Sequence, residues 1–129
     1  MVSMLSLVER GWGGARECSL KLQTMGIPVT HLIKGVLGDE VLGMIAPYPN
    51  IAIVDVPPLL FRLRFWCAVV AGTLSRRLRW ILTDHPKTAR ELEWWCRWFR
   101  LTPVFIEERG GAVAFSVHGQ PRSFQEIFS

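Results

Sequence analysis

Apolar and polar positions fall into short greasy runs separated by stretches of helical spacing. Leu5-Ser6-Leu7-Val8 is apolar, then gives way to Glu9-Arg10 and a glycine-rich turn, Gly11-Trp12-Gly13-Gly14. A short apolar run closed by turn residues predicts a buried strand. From about Gly14 to Met25 the spacing is helical, with Ala15, Cys18, Leu22 and Met25 on one side and Arg16, Glu17, Lys21 and Gln23 on the other. Gly26 suits the left-handed residue that follows a helix, and Pro28 opens a second strand, Val29–Ile33.

Asp39–Ile45 reads as a short helix stopped by Pro47 and Pro49. Ile51–Val56 is apolar apart from Asp55, as befits a strand covered on both faces. A long helix is predicted over about Leu59–Leu78, and its centre, Phe65–Ala71, is apolar all round. The charge-free stretch between Arg64 and Arg76 is 11 residues, too short to span a bilayer, so this helix is expected to be buried or interfacial. Trp80–Leu82 is a fourth strand. Thr83-Asp84-His85-Pro86 then starts another helix, with Asp84 as its N-cap and Pro86 in its first turn. That helix, about Lys87–Arg100, turns Ala89, Leu92, Cys96 and Phe99 inward. Val104–Glu107 is a fifth strand, and Gly110-Gly111 turns the chain into Ala112–Val117, whose Val113, Phe115 and Val117 alternate as in an edge hairpin. Residues beyond Gly119 are expected to be irregular or a short helix.

Strands alternating with helices require parallel pairing and right-handed crossovers. The expected class is therefore α/β: one domain over residues 1–129, a three-layer α/β/α Rossmann-like sandwich. Its sheet should be mostly parallel, of about five strands with a C-terminal edge hairpin. Orders 3-2-1-4-5 and 2-1-3-4-5 both fit. The first sets the glycine turn beside Asp84-His85, the second beside Asp55.

Half of the 129 residues are hydrophobic and 20% are charged, which excludes a disordered chain. Cys18, Cys67 and Cys96 each fall on a predicted helix without a C-x-x-C pair. Packed free thiols in a reducing compartment are expected, with no metal site and no cofactor. The N-terminus lacks a charged segment followed by a long apolar run, so a cytoplasmic location is expected, or a peripheral one on the inner face of the membrane. Net charge is +4, but between Val56 and Pro103 nine basic residues stand against three acidic ones. Such a basic face implies an anionic partner, unless it is only a soluble surface. Trp94 and Trp98 lie four apart beside Arg90 and Arg97, and Trp66 lies near Arg62. Tryptophan with arginine suits a partner protein or an anionic membrane surface, while a thick core with snorkelling arginines is the competing reading. Nucleic acid is disfavoured, since no reading motif is present and lysine is scarce.

Polar residues collect where the strands end: Glu9-Arg10-Gly11, Lys34-Gly35, Asp55, Thr83-Asp84-His85 and Glu107-Glu108. Ligands of parallel sheets sit beyond those ends. Gly11, Gly13 and Gly14 allow backbone N–H groups to approach an anion at a helix N-terminus, and Arg10, Arg16 and Lys34 would strengthen the site. A nucleotide or sugar phosphate is the expected ligand. The run is neither G-x-G-x-x-G nor a P-loop, so a tight turn that needs glycine for its backbone explains it equally well. Candidates for acid/base chemistry are Asp84, His85 and Asp55, against a plain reading of Asp84-His85 as a cap beside an exposed histidine.

Gly13-Gly14-Ala15-Arg16-Glu17, followed by a helix ending in Met25-Gly26-Ile27-Pro28-Val29-Thr30, resembles the start of GT-B glycosyltransferases over about 20 residues. That family opens with a strand, a G-G-A-type loop, a helix and a "G-x-x-V-T" second strand; pre-ATP-grasp and other Rossmann-like domains begin similarly. The resemblance implies an acceptor-binding Rossmann-like domain with the loop near the cleft. GT-B enzymes carry a second such domain for the nucleotide sugar, for which this sequence has no room. An accessory or binding domain, inactive as an isolated chain, is therefore implied, or else a subunit of a split glycosyltransferase at the membrane surface. A slighter resemblance, to response-regulator receiver domains, rests on Asp55 ending the third strand and Thr83 the fourth. There the expected acidic pair is replaced by Glu9-Arg10, and Glu107-Glu108 lacks the lysine.

Overall fold

A computed structural model describes residues 3–9, 13–34, 51–109 and 112–128. Seven strands form one sheet: β1 (Met4–Val8), β2 (Val29–Lys34), β3 (Ile51–Val56), β4 (Trp80–Thr83), β5 (Thr102–Arg109), β6 (Ala112–Val117) and β7 (Gln120–Arg122). The helices are α1 (Gly13–Thr24), α2 (Pro58–Ser75), α3 (Pro86–Phe99) and α4 (Phe124–Phe128). The strand order is β3-β2-β1-β4-β5-β6-β7. The first five are parallel, whereas β6 is antiparallel to β5 and β7 to β6. The class is mixed α/β with a mixed sheet, and of the two orders compatible with the sequence the chain adopts 3-2-1-4-5.

The expected hairpin strand Ala112–Val117 is present as β6, and one strand more than expected, β7, follows it. His118 and Gly119 both take positive φ, 53° and 78°, as a two-residue hairpin turn demands. The chain folds back so that Val117 pairs with Gln120 and Phe115 with Arg122. The predicted Asp39–Ile45 helix and the Gly110-Gly111 turn lie outside the described residues.

All five residues of β1 are buried. Met4 and Val8 face a cluster with Cys18 and Leu22 of α1, Leu82, and Phe128 of α4. Leu5 and Leu7 face the opposite cluster, built from Phe61, Phe65 and Val69 of α2 and Leu92 and Cys96 of α3. Helices thus cover both faces of the sheet. α4 is fastened by Trp80, whose indole N–H donates to the Ile127 carbonyl at 3.1 Å while its ring meets Phe128 at 5.3 Å.

The helical stripes differ from expectation in three places. α2 stops at Ser75, three residues short of Leu78, because Arg76 turns left-handed (φ 58°) and its N–H returns to the Thr73 carbonyl at 3.1 Å. Leu78 then folds under Gly72, where an added Cβ would stand 2.8 Å from its Cδ2. Of the two readings left open for α2, buried or interfacial, it buries one side only: Phe61, Phe65 and Val69 are buried, while Cys67 is exposed and so is not a packed thiol. In α3 the buried stripe is Thr88, Leu92 and Cys96, which leaves Ala89 half-buried and Phe99 46% exposed. Met25, past the end of α1, is likewise exposed.

His31, level with Ser6 in the register of β1 and β2, is completely buried. Desolvation lowers its pKa from 6.5 to about 3. The folded chain therefore keeps this imidazole neutral where the unfolded chain would take up a proton. Stability is complete above the unfolded value and declines as pH falls from about 6.5 toward 3, by at most about 1.4 kcal/mol per pH unit. Urea unfolding at a series of acidic pH values should show this decline, and His31→Leu should flatten it. Equal slopes in the two proteins would place the acid sensitivity elsewhere.

Candidate ligand site at the carboxyl ends of β1 and β4

Leu7 pairs with Thr83, so Glu9 and Asp84 emerge side by side as β1 and β4 end. The Glu9 backbone N–H donates to Asp84 Oδ1 at 2.9 Å. The Glu9 side chain is only 9% exposed, and burying a carboxylate is costly unless it is paired. Two groups offset that cost. The Thr88 hydroxyl, on the buried stripe of α3, donates to Glu9 Oε2 at 2.6 Å. Lys34, which ends β2, brings its Nζ to 3.7 Å from Glu9 Oε1 and lies 6.0 Å from the centre of the Phe61 ring.

His85 serves the backbone. Its N–H donates to Thr83 Oγ1 at 3.2 Å, and its Nδ1 accepts from the Lys87 N–H at 3.2 Å, so the ring carries its proton on Nε2. The N-cap of α3 is thus His85 and not Asp84, with Pro86 in the first turn as expected. The cap and the β1 contact use different side chains: the histidine closes the helix, and the aspartate ties β4 to the end of β1.

Of the residues predicted for the site, Lys34 and Asp84 converge on Glu9. Asp55 does not join them: β3 lies beyond β2, paired there with Ile33, and two strands separate it from β4. Gly13 and Gly14 open α1, whose first turn also holds Arg16, while Arg10 and Gly11 lie outside the described residues. Sequence reasoning placed Glu9 among the polar strand ends without naming it as a binding residue, and it missed Thr88. Their signals were present, in a carboxylate directly after a buried strand and a hydroxyl four residues before Leu92 on an otherwise apolar stripe.

The residues predicted for a partner face separate into two kinds. Trp66 is half-buried and packs its ring 5.4 Å from Phe65 and 5.7 Å from Trp95. Arg62 pairs with Glu91 at 2.8 Å. Trp94, Trp98, Arg90 and Arg97 are exposed. His118 has its Nδ1 3.3 Å from Glu93 Oε1 at the surface. No group of three or more His, Cys, Asp or Glu arranged to hold a metal ion occurs among the described residues. Burial pushes the Cys18 and Cys96 thiols up to about 12, so both stay protonated and are poor nucleophiles at neutral pH.

Compared with known proteins, the chain matches no family model, no curated protein and no solved structure.

The Thr88–Glu9 bond makes a measurable contribution. Thr88→Val keeps the shape and leaves the buried carboxylate without this donor, which should lower stability by about 1.5–3 kcal/mol. His85→Ala removes only a cap at a half-exposed helix start and should cost about 1 kcal/mol. Urea unfolding midpoints of the two variants check the order. A larger loss from His85→Ala would show that the Glu9 cluster is not the tighter of the two.

Proposed function

We propose that the chain is a Rossmann-like, three-layer ligand-binding domain of the acceptor-side kind that opens GT-B glycosyltransferases. Its ligand would be a nucleotide or sugar phosphate held where β1 and β4 diverge. The observation that carries this is the 2.9 Å bond from the Glu9 N–H to Asp84 across the two strand ends. In an open parallel sheet the ligand crevice forms where neighbouring strands send their connections in opposite directions. Here β1 leads outward to β2 and β4 leads the other way to β5. Five parallel strands in that order, with helices on both faces, support the Rossmann-like reading.

The chemistry of the crevice suits a sugar phosphate at both of its ends. α1 begins at Gly13, shortly past β1, and the N–H groups of its first turn, which no intrahelical carbonyl takes up, suit a phosphate. Arg10, Gly11, Gly14 and Arg16 belong to the same stretch of chain. The Glu9 carboxylate accepts from Thr88 and pairs with Lys34, yet a carboxylate offers about four lone-pair positions, enough to receive a ligand hydroxyl as well. The proposed role is binding, with group transfer left to a second domain. The reading as a subunit of a split glycosyltransferase at the membrane surface draws support from the exposed apolar residues of α2.

Thermal unfolding and calorimetric titration with a nucleoside diphosphate and with a hexose phosphate test the proposal. At least one probe should raise the unfolding midpoint and saturate a single site. Gly13→Val and Arg16→Ala should each weaken it by about tenfold or more, in keeping with lost charge-assisted contacts. No shift with either probe, or unchanged affinity in both variants, overturns the reading. Recovery of the native chain with a stoichiometric partner bearing a nucleotide-binding domain would favour the split enzyme.

A further inference from the structure

The side of α2 turned away from the sheet is apolar. With Phe61, Phe65 and Val69 buried, the helical repeat places Leu63, Cys67, Val70 and Leu74 on the opposite side. Leu59, at the helix start, is 97% exposed, Leu74 78% and Leu63 65%. From Leu60 the positions 60, 63, 67, 70 and 74 alternate steps of three and four, the spacing of a helix that lies against something. Trp94 and Trp98 on α3 are 63% and 68% exposed. The Trp66–Trp95 contact and the Arg62–Glu91 pair hold the two helices side by side. An exposed apolar surface of this extent marks an interaction site.

Charge identifies what covers it. Arg76, Arg79 and Arg100 line a cleft of about 470 Å³ at the C-terminal ends of α2 and α3, with Phe99 in its wall. No carboxylate lines that cleft, and among the described residues none pairs with these three guanidinium groups. Arg76 and Arg100 each hold the left-handed conformation, φ 58° and 57°, where glycine is usual. Two helices therefore close on an arginine at the same cleft. Guanidinium forks match the oxygens of a phosphate. A second copy of this face would set the same arginines against one another, and leucine contributes little at protein hot spots. α2 is long and apolar enough, by length and composition, to cross a membrane. Arg62 and Arg64, with Phe61, Phe65 and Val69 seated on the sheet, instead lay it along a surface.

We infer that the outer face of α2 and α3 docks on an anionic lipid surface. The exposed leucines and tryptophans enter the interfacial layer, and the Arg76–Arg79–Arg100 cleft takes a headgroup phosphate. This surface is independent of the crevice at Glu9.

Co-sedimentation of the whole chain with phosphatidylcholine vesicles, with and without phosphatidylglycerol, tests the inference. Binding should require phosphatidylglycerol, exceed that to neutral vesicles by about tenfold or more, and fall as salt is raised. Cys67, the exposed thiol on the apolar stripe, should be protected from a water-soluble maleimide by the anionic vesicles alone. Leu63→Glu with Leu74→Glu alters only exposed side chains and should lower binding by about tenfold or more with an unchanged unfolding midpoint. Arg79→Gln and Arg100→Gln should cost about fivefold each. Equal binding to both vesicle types, or none to either, overturns the inference. So does Cys67 protection without vesicles in a dimer, which would make a second copy the occupant. The vesicle and maleimide comparisons use the unaltered chain, so they decide the matter even if a variant fails to fold.

Discussion

Met4–Val8 is at most 2% exposed at every residue, and its backbone is hydrogen-bonded by β2 on one side and β4 on the other. A strand buried on both faces and along both edges has no polar backbone group to spare for water, so its neighbours must be found within the chain. The chain can meet that demand only by running outward from β1 and later returning across it. Right-handed crossovers made in opposite directions place their helices on opposite faces. The helix between β1 and β2 packs on the side of Met4 and Val8, whereas those leading to β4 and β5 pack on the side of Leu5 and Leu7. The same reversal leaves the carboxyl ends of β1 and β4 adjacent while their connections diverge. Glu9 and Asp84 meet for that reason.

The two faces are finished differently. Beside α1, the sheet is completed by α4, whose Phe124 and Phe128 stack 4.9 Å apart and close over Trp80 and Phe115. The opposite face has two long helices joined through Trp66, Trp95 and the Thr73 hydroxyl, which accepts the Trp95 indole N–H at 3.1 Å. One buried residue per turn of α2 is enough to seat it on the sheet, and Phe61, Phe65 and Val69 supply that. The fold makes no demand for leucine on the far side. Serine or glutamate at positions 63 and 74 would leave the core as it is and make the surface more soluble. The apolar outer face therefore calls for a reason outside the fold.

The apolar runs marked every parallel strand to within a residue or two, since a buried strand must be greasy whatever its neighbours. Which strands are neighbours is decided by contacts distant in sequence, and the two candidate orders differed in no local feature. The cap of α3 shows the same limit. Asp84 is the stronger capping type by local preference, but the Glu9 N–H, 75 positions away, takes its carboxylate and leaves the histidine to close the helix. Thr88 took the buried place expected for Ala89 because its hydroxyl serves Glu9, a contact that no helical periodicity records. For α2, the pattern established a helix but could not name its buried side, since both sides are apolar. β7 had no pattern at all: Gln120-Pro121-Arg122 is an exposed edge segment, where proline is tolerated and side chains need not alternate.

The crevice and the arginine cleft lie at opposite ends of the sheet. Glu9 and Asp84 follow the last residues of β1 and β4, whereas Trp80 and Thr102, which line the cleft, are the first residues of β4 and β5. A four-residue strand is about 13 Å long, so charges at the two ends are separated by more than a Debye length at physiological salt. Arginines facing lipid would therefore do little to the charge balance at Glu9 and Lys34. With α2 lying along a surface, both ends of the strands point sideways, parallel to it, and the crevice stays open to water. A ligand could then enter from solution while the chain is docked, or come from the surface itself by a short lateral path. In that arrangement one geometry would serve a soluble sugar phosphate and a lipid-linked one alike.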